Sequence, residues 1–415
     1  MNACLFPAAF LRAPSTRVVP RAALSRVLVV VSLLLVACGS KTVTLDDPMT
    51  TLPSHTLQAA ASPQAGAGPV ASVEGVPDYA LRDSADCENC HYEIVAEWRN
   101  SLHARSTYEK DPLYRIMRQK ALRALGAPAE RACSRCHYPT WSEELRAAGL
   151  EKKIEGVACT VCHRVHAKHP HELLPGGEEA VFASASPGQE GADALCLTCH
   201  GEMKNPEGQP VCTTGAEAHE VAAGTCIGCH MPMLEGPGTD ASDEEAHRSH
   251  RFPSAYDPAM LRTAAKLELA VQLGGGTRTL VVAVKAGAIG HSLPTGTPLR
   301  SVVLKVEALD DEFRVIWTNV DKDPLREDPD AVFARVFQDK DGKRPVPPFL
   351  ASGPGTDTRI VPGETRRLRY GIPDGTRSAR ATLLYYRGPS KLLRAAGLPE
   401  SLVKPTVIAE QLLRL

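Results

Sequence analysis

The sequence predicts an α+β protein: a mainly helical and irregular domain followed by an antiparallel β-sandwich. Three observations predict it. The chain writes Cys-x-x-Cys-His five times between Cys87 and His230. Short stretches with a helical apolar period lie between the copies. Beyond Ala255 the apolar residues alternate at period two, with turn residues between the runs.

The five copies are Cys87/Cys90/His91, Cys133/Cys136/His137, Cys159/Cys162/His163, Cys196/Cys199/His200 and Cys226/Cys229/His230. Two thiols at this spacing reach the two vinyl groups of one porphyrin, and the histidine that follows is carried beneath the ring, where its nitrogen binds iron. Paired thiols also serve zinc knuckles and disulfides. Histidine is only 14 of 415 residues, however, so a histidine after all five pairs selects c-type haem attachment. Five covalently bound haem c groups are therefore the expected cofactors. The 144 residues from Cys87 to His230, divided among five motifs, leave about 29 each. That is too few to wrap each porphyrin separately, so the haems must pack against one another and form the core of a multihaem domain. Aromatic residues are only 5% of the chain, which agrees with porphyrins taking the place of large apolar side chains.

The N-terminal stretch addresses this chemistry to a compartment. Arg12, Arg17, Arg21 and Arg26 precede an uncharged apolar run from Val27 to Ala37, the length of an exported signal's core and too short for a membrane span. The run ends Leu35-Val36-Ala37-Cys38-Gly39, which resembles a bacterial lipobox, so residues 1–37 are expected to be removed and Cys38 to be acylated. Residues 38–80 are rich in Ser, Thr, Ala, Pro and Gly, and Ser62 to Val70 reads as a linker. A flexible tether of about 40 residues has a reach of roughly 35 Å. The expected location is the bacterial periplasm or cell surface, with the protein held to a membrane by lipid. Of 13 cysteines, ten serve haem, Cys38 serves lipid and Cys4 lies in the leader; Cys212 is left over and reads as a buried, inert thiol.

The haem domain is expected over 81–255. One helix should carry His91 to Leu102. A second should run from Asp111 to Leu125, with Leu113, Met117, Ala121 and Leu125 forming a core stripe. A third should open at Thr140-x-x-Glu143 and stop at Gly149. Once His91, His137, His163, His200 and His230 are taken as proximal ligands and His55 is set aside in the tether, eight histidines remain for five distal positions: His103, His166, His169, His171, His219, His247, His250 and His291. Nothing in that count forces any iron to be open, and bis-histidine ligation with low potentials is the default. On one helix, His91 and His103 would be about 18 Å apart. His103 should therefore serve a neighbouring haem.

At these residues the chain resembles a family. Cys87 to Ala104, with Trp98-x-x-Ser101-x-His103-Ala104 after the first motif, is similar to the opening signature of the multihaem c-type cytochromes that include tetrahaem electron carriers, octahaem hydroxylamine oxidoreductase and pentahaem nitrite reductase. Gly156-Val157 before the third motif, and Met231-Pro232 after the fifth followed by His250-x-Phe252, resemble later signatures. The resemblance implies distal ligation by His103, His250, either His169 or His171, and His219. Met231 adjoins a proximal histidine and is read as packing.

The region 256–415 should form the β-sandwich. Leu267, Leu269, Val271 and Leu273 lead through Gly274-Gly275-Gly276 into Leu280, Val282 and Val284, a hairpin pattern. Further strands are expected at Val302 to Ala308, Val315 to Asn319, Leu368 to Ile372 and Ala381 to Arg387, enough for a sandwich with its own core. Gly290-His291-Ser-Leu-Pro294-Thr-Gly296 resembles a motif of the C-terminal β-domains of such cytochromes. Glycine and proline would fix a turn from which His291 projects toward a haem. Asp357-x-Arg359-x-x-Pro362-Gly363 reads as a structural turn with an ion pair.

The favoured function is electron transfer by stacked, mostly bis-histidine haems in a membrane-anchored protein, without a catalytic residue. The alternative is a redox enzyme acting on a small nitrogen or sulfur compound at a haem with an open position. Pentahaem nitrite reductases mark their catalytic haem with lysine in place of the motif histidine, and all five motifs here end in His. A haem redox sensor has no sequence feature in its favour. The polypeptide's formal charge is −1, but ten propionates would make the holoprotein more acidic. Redox partner proteins carrying a basic patch, and the membrane, are the expected partners; nucleic acid is not.

Overall fold

The computed structural model describes residues 83–139, 155–163, 189–219, 226–238, 245–274 and 276–415. The signal, Cys38, the tether, the helix expected at Thr140 to Gly149 and His166, His169 and His171 lie outside the described residues. The described parts form an α+β layout in which short helices carry the motifs and antiparallel sheets follow.

Helix Tyr92–Arg99 is shorter than the sequence pattern predicts. Its last turn closes at Asn100 and Ser101, whose N–H groups donate to the carbonyls of Glu97 and Trp98, so His103 sits in the turn beyond the helix. Helix Pro112–Leu125 follows the expectation closely. Asp111 Oδ1 caps it by accepting from the N–H groups of Leu113 and Tyr114 at 2.9 and 3.0 Å, Pro112 occupies the first turn, and Gly126 takes φ +70° at its end. Helices Ala127–His137, Gln189–His200 and Cys226–His230 each end on a motif histidine, while Cys159–Cys162 is a single turn that ends just before one. Two small ribbons complete this region: β1 (Met203–Lys204) with β2 (Pro210–Cys212), and β3 (Met233–Glu235) with β4 (Ala246–Arg248).

Beyond helix Pro258–Thr263 the chain is a two-sheet sandwich. β5 (Ala265–Gly274) and β6 (Thr277–Ala286) form the expected hairpin, with Gly274 opposite Thr277 and Gly276 at φ +80° in the turn. β11 (Thr365–Gly371) joins β6 to complete the order β11-β6-β5. The second sheet has the order β10-β9-β7-β12-β13, with β8 (Val315–Thr318) also on β7. Its strands are β7 (Ser301–Leu309), β9 (Val332–Gln338), β10 (Gly353–Asp357), β12 (Ser378–Tyr386) and β13 (Thr406–Arg414). Leu280, Val282 and Val284 of β6 meet Val302, Leu304 and Val306 of β7 and Ala379, Ala381 and Leu383 of β12 in one core. All nine side chains are fully shielded from solvent. β12 pairs with β7 and β13 on its two sides, so its backbone is held rigidly.

Candidate haem-binding cavity

A cavity of about 3100 Å³ runs through the molecule, lined by every cysteine and histidine of the five motifs. An ordinary small-molecule site is roughly 300–1,000 Å³, so this one has room for several large groups. Leu113, Met117, Ala121 and Leu125 line it, as do His103, His250 and His291. The stripe read as ordinary core thus faces the cavity on one side, while Leu113 and Met117 also pack with Leu393 and Val403 beneath the sandwich. The residues fit haem c: ten thiols and five imidazoles surround one continuous apolar space.

The imidazoles are spaced as if around metal atoms. The ring centroids of His163 and His250 are 6.2 Å apart, those of His230 and His291 6.3 Å, and those of His103 and His200 6.2 Å. Two rings in van der Waals stacking would be much closer. Two imidazole nitrogens each about 2 Å from one metal ion put the ring centroids about 6 Å apart. Each pair joins a motif histidine to a histidine from a distant segment. His103 faces the fourth motif rather than the first, and His291 of the sandwich faces the fifth.

Hydrogen bonds orient these rings. Nδ1 of His91 lies 3.0 Å from the Gly238 carbonyl, that of His137 3.0 Å from Ser106 O, and that of His230 2.7 Å from Pro253 O. His250 Nδ1 meets Arg248 O at 2.9 Å and His291 Nδ1 meets Ser292 O at 3.1 Å. A carbonyl only accepts, so the proton sits on Nδ1 and the Nε2 lone pair is left for a metal. Burial pushes His103 and His163 down to about 4, with neighbouring imidazoles adding to the effect, and both rings are neutral near pH 7.

Local chemistry holds several of these imidazoles in place. Trp98 Nε1 donates to Val157 O at 2.8 Å, and Val157 N donates to His103 O at 2.9 Å, so the segment before the third motif is tied to the turn that carries His103. A Cβ at Gly156 would lie 2.0 Å from His103 O, and only glycine permits that approach. Ser106 Oγ bonds both His103 O, at 2.8 Å, and His137 O, at 2.6 Å. Glu97, 6% exposed, accepts from His250 N at 2.7 Å and faces Arg251 Nε at 3.2 Å. Glu217 accepts from Ser292 N at 3.1 Å, Thr295 Oγ1 at 2.8 Å and Arg359 Nη1 at 2.6 Å. Its carboxyl lies below the usual range; burial opposes that shift, and the bonds from Thr213 and Thr295 and the charge of Arg359 outweigh it. The Leu293↔Ile360 bridge anchors the same turn, and Gly296 takes φ +80° within it. The ion pair expected at Asp357 and Arg359 is present, at 2.8 Å, and its wider role is to hold the His291 loop through Glu217.

The thiols meet between motifs. Cys87 faces Cys159, which pushes Cys87 up and holds Cys159 down at about 7. Cys199 is held down at about 6 by Cys136, and Cys196 is lowered by Cys226. Cys162 is pushed up to about 11, first by burial and then by Cys199 and Cys159.

Other candidate residues are placed as follows. His219 ends helix Thr214–His219, and its side chain lies outside the described residues, as does His169. His247 is buried with Nε2 3.7 Å from Glu97 Oε2 and does not line the cavity. Met231 lines the cavity. Cys212 is half-buried on the cavity wall, not fully buried, because its strand β2 is a three-residue ribbon beside the opening. Tyr114 stacks on His137 at 3.7 Å and 3°. Glu97 and Glu217 escaped the sequence reading because their partners lie 153 and 75 to 142 residues away.

The chain matches the family model "Cytochrome c554 and c-prime" over residues 86–164 and the doubled CXXCH motif over residues 152–205. Its structure is similar to that of a penta-heme cytochrome c552 from Thermochromatium tepidum, with 27% identity, a TM-score of 0.65, and coverage of 81% of this chain and 100% of that one. No curated protein matches it. The five attachment motifs around one cavity, the two motif families and the penta-haem neighbour agree in supporting a likeness to the multihaem c-type cytochromes.

Proposed function

We propose that the protein is a pentahaem electron-transfer protein in which most irons are held between two histidines. The observation that carries this reading is the set of three imidazole pairs at 6.2 to 6.3 Å around one cavity. His163 with His250, His200 with His103 and His230 with His291 would each hold one haem iron. Bound haem supplies one-electron iron couples. The chain's part is to anchor each ring through two cysteines, lock the imidazoles by their Nδ1 bonds, and keep water out with apolar walls.

The thiol pairs support an order of neighbours. Attachment edges side by side at Cys87/Cys159, Cys136/Cys199 and Cys196/Cys226 put the first motif beside the third and the fourth beside both the second and the fifth. Cys162 near Cys199 links the third to the fourth, so all five sites form one connected set. Acylation at Cys38 would tether this unit to a membrane outside the cytosol; the mass of the mature N-terminal peptide tests that part directly.

Carbon monoxide tests the central reading, because an iron with two histidines offers it no position. The reduced protein should show no carbonyl spectrum for at least three of its haems. Carbonyl formation at most of them would reject the reading, and formation at one would favour a redox enzyme with an open site.

A further inference from the structure

Tyr114 lines the cavity and lies face to face on His137, with ring centroids 3.7 Å apart and planes within 3°. At that separation the rings touch, so Tyr114 lies beside the imidazole, whereas the imidazole pairs at 6.2 to 6.3 Å leave room for an atom between them. Local sequence brings the two rings together. Helices Pro112–Leu125 and Ala127–His137 meet at Gly126, with Tyr114 twelve residues before it and His137 eleven after it. At 1.5 Å per residue these are about 18 and about 17 Å along the two helices, so the side chains come level.

Both rings are held in place. Tyr114 N donates to Asp111 Oδ1 at 3.0 Å, and its ring centre is 6.4 Å from that of Tyr138, which is fully shielded from solvent and donates to Glu130. Glu130 is paired in turn with Arg118. Nδ1 of His137 is fixed on Ser106 O. The Tyr114 hydroxyl has no hydrogen-bond partner among the described residues, and burial pushes the phenol up, so what Tyr114 offers His137 is the face of a neutral aromatic ring.

Such a face carries negative charge density and attracts a positively charged group set against it. An imidazole bound to ferric iron is more positive than one bound to ferrous iron, so this contact favours the oxidised state. It also resists rotation of the imidazole about its bond to a metal.

We propose that Tyr114 is a positioning residue of the haem at the second motif: its ring face sets the plane of His137 and holds that haem's midpoint low. The inference rests on the haem-filled cavity of the proposed function.

The test is a redox titration of holoprotein carrying Tyr114→Leu, with haem counted by mass and the irons followed by electron paramagnetic resonance. One midpoint should rise by about 30 mV, a threefold change where about 59 mV is tenfold for one electron, and the g values of one iron should shift as its imidazole plane turns. Tyr114→Phe keeps the face and should match wild type in both readouts. Tyr114→pentafluorophenylalanine keeps the shape and reverses the sign of the face, so the midpoint should rise while the g values stay; this variant decides if Tyr114→Leu does not assemble. Five haems with unchanged midpoints in the leucine and fluorinated variants would overturn the role of Tyr114 and leave the haem cavity standing, as would a shift in Tyr114→Phe as large as that in Tyr114→Leu. Absence of haem from the wild-type protein would overturn the cavity reading instead.

Discussion

Glu217 illustrates how one side chain joins the sheet to the cavity. It receives the backbone of Ser292, the hydroxyl of Thr295 and the guanidinium of Arg359, and so holds the loop from which His291 faces His230. Its folded value lies below the ordinary 4.5, so its contribution to stability is complete above 4.5 and is lost as the pH falls through the lower folded value. Glu217→Gln should cost about 1.5–3 kcal/mol near neutral pH, the range for hydrogen bonds to a charged group. The gap between variant and wild type should close in acid below 4.5. Thermal unfolding across pH checks this, and a gap that does not change with pH would contradict it. The sequence marks His291 by its Gly and Pro neighbours but carries no sign of Glu217. A carboxylate becomes a ligand support only when folding brings a distant loop against it.

At the scale of elements, a turn or cap written in adjacent residues makes an element legible. The β5–β6 hairpin and helix Pro112–Leu125 were readable because each has one buried side and a turn or cap written in adjacent residues. β9 was not: Val332, Phe333 and Ala334 are all buried, so its two covered faces erase the period-two pattern. β13 was missed because a register shift at Leu383/Leu384 breaks its alternation against β12, and β10 because Gly353-Pro-Gly355 carries no apolar period. The early end of helix Tyr92–Arg99 was hidden too, since the stretch that carries His103 is held by bonds from Trp98 and His103 to Val157, 54 residues or more away in the chain. Gly156→Ala tests that coupling. A methyl 2.0 Å from His103 O forces the turn outward, at a cost of about 1–3 kcal/mol for overpacking. The low-spin signal of the fourth-motif iron should weaken with it. An unchanged low-spin spectrum would show that His103 does not depend on this approach.

For the whole molecule, the motifs in the sequence give the attachment sites, and folding decides which histidine faces which motif. His103, His250 and His291 come from a turn, a loop and a sandwich, yet their rings end at nearly the same separation from a motif histidine. The sandwich is therefore part of the cavity wall: it supplies His291. The most direct test of the account is electron paramagnetic resonance of the fully oxidised protein with the spins counted against total iron. Low-spin signals for at least three irons, one for each imidazole pair, are the predicted result. A spectrum in which high-spin iron accounts for three or more of the haems would contradict it.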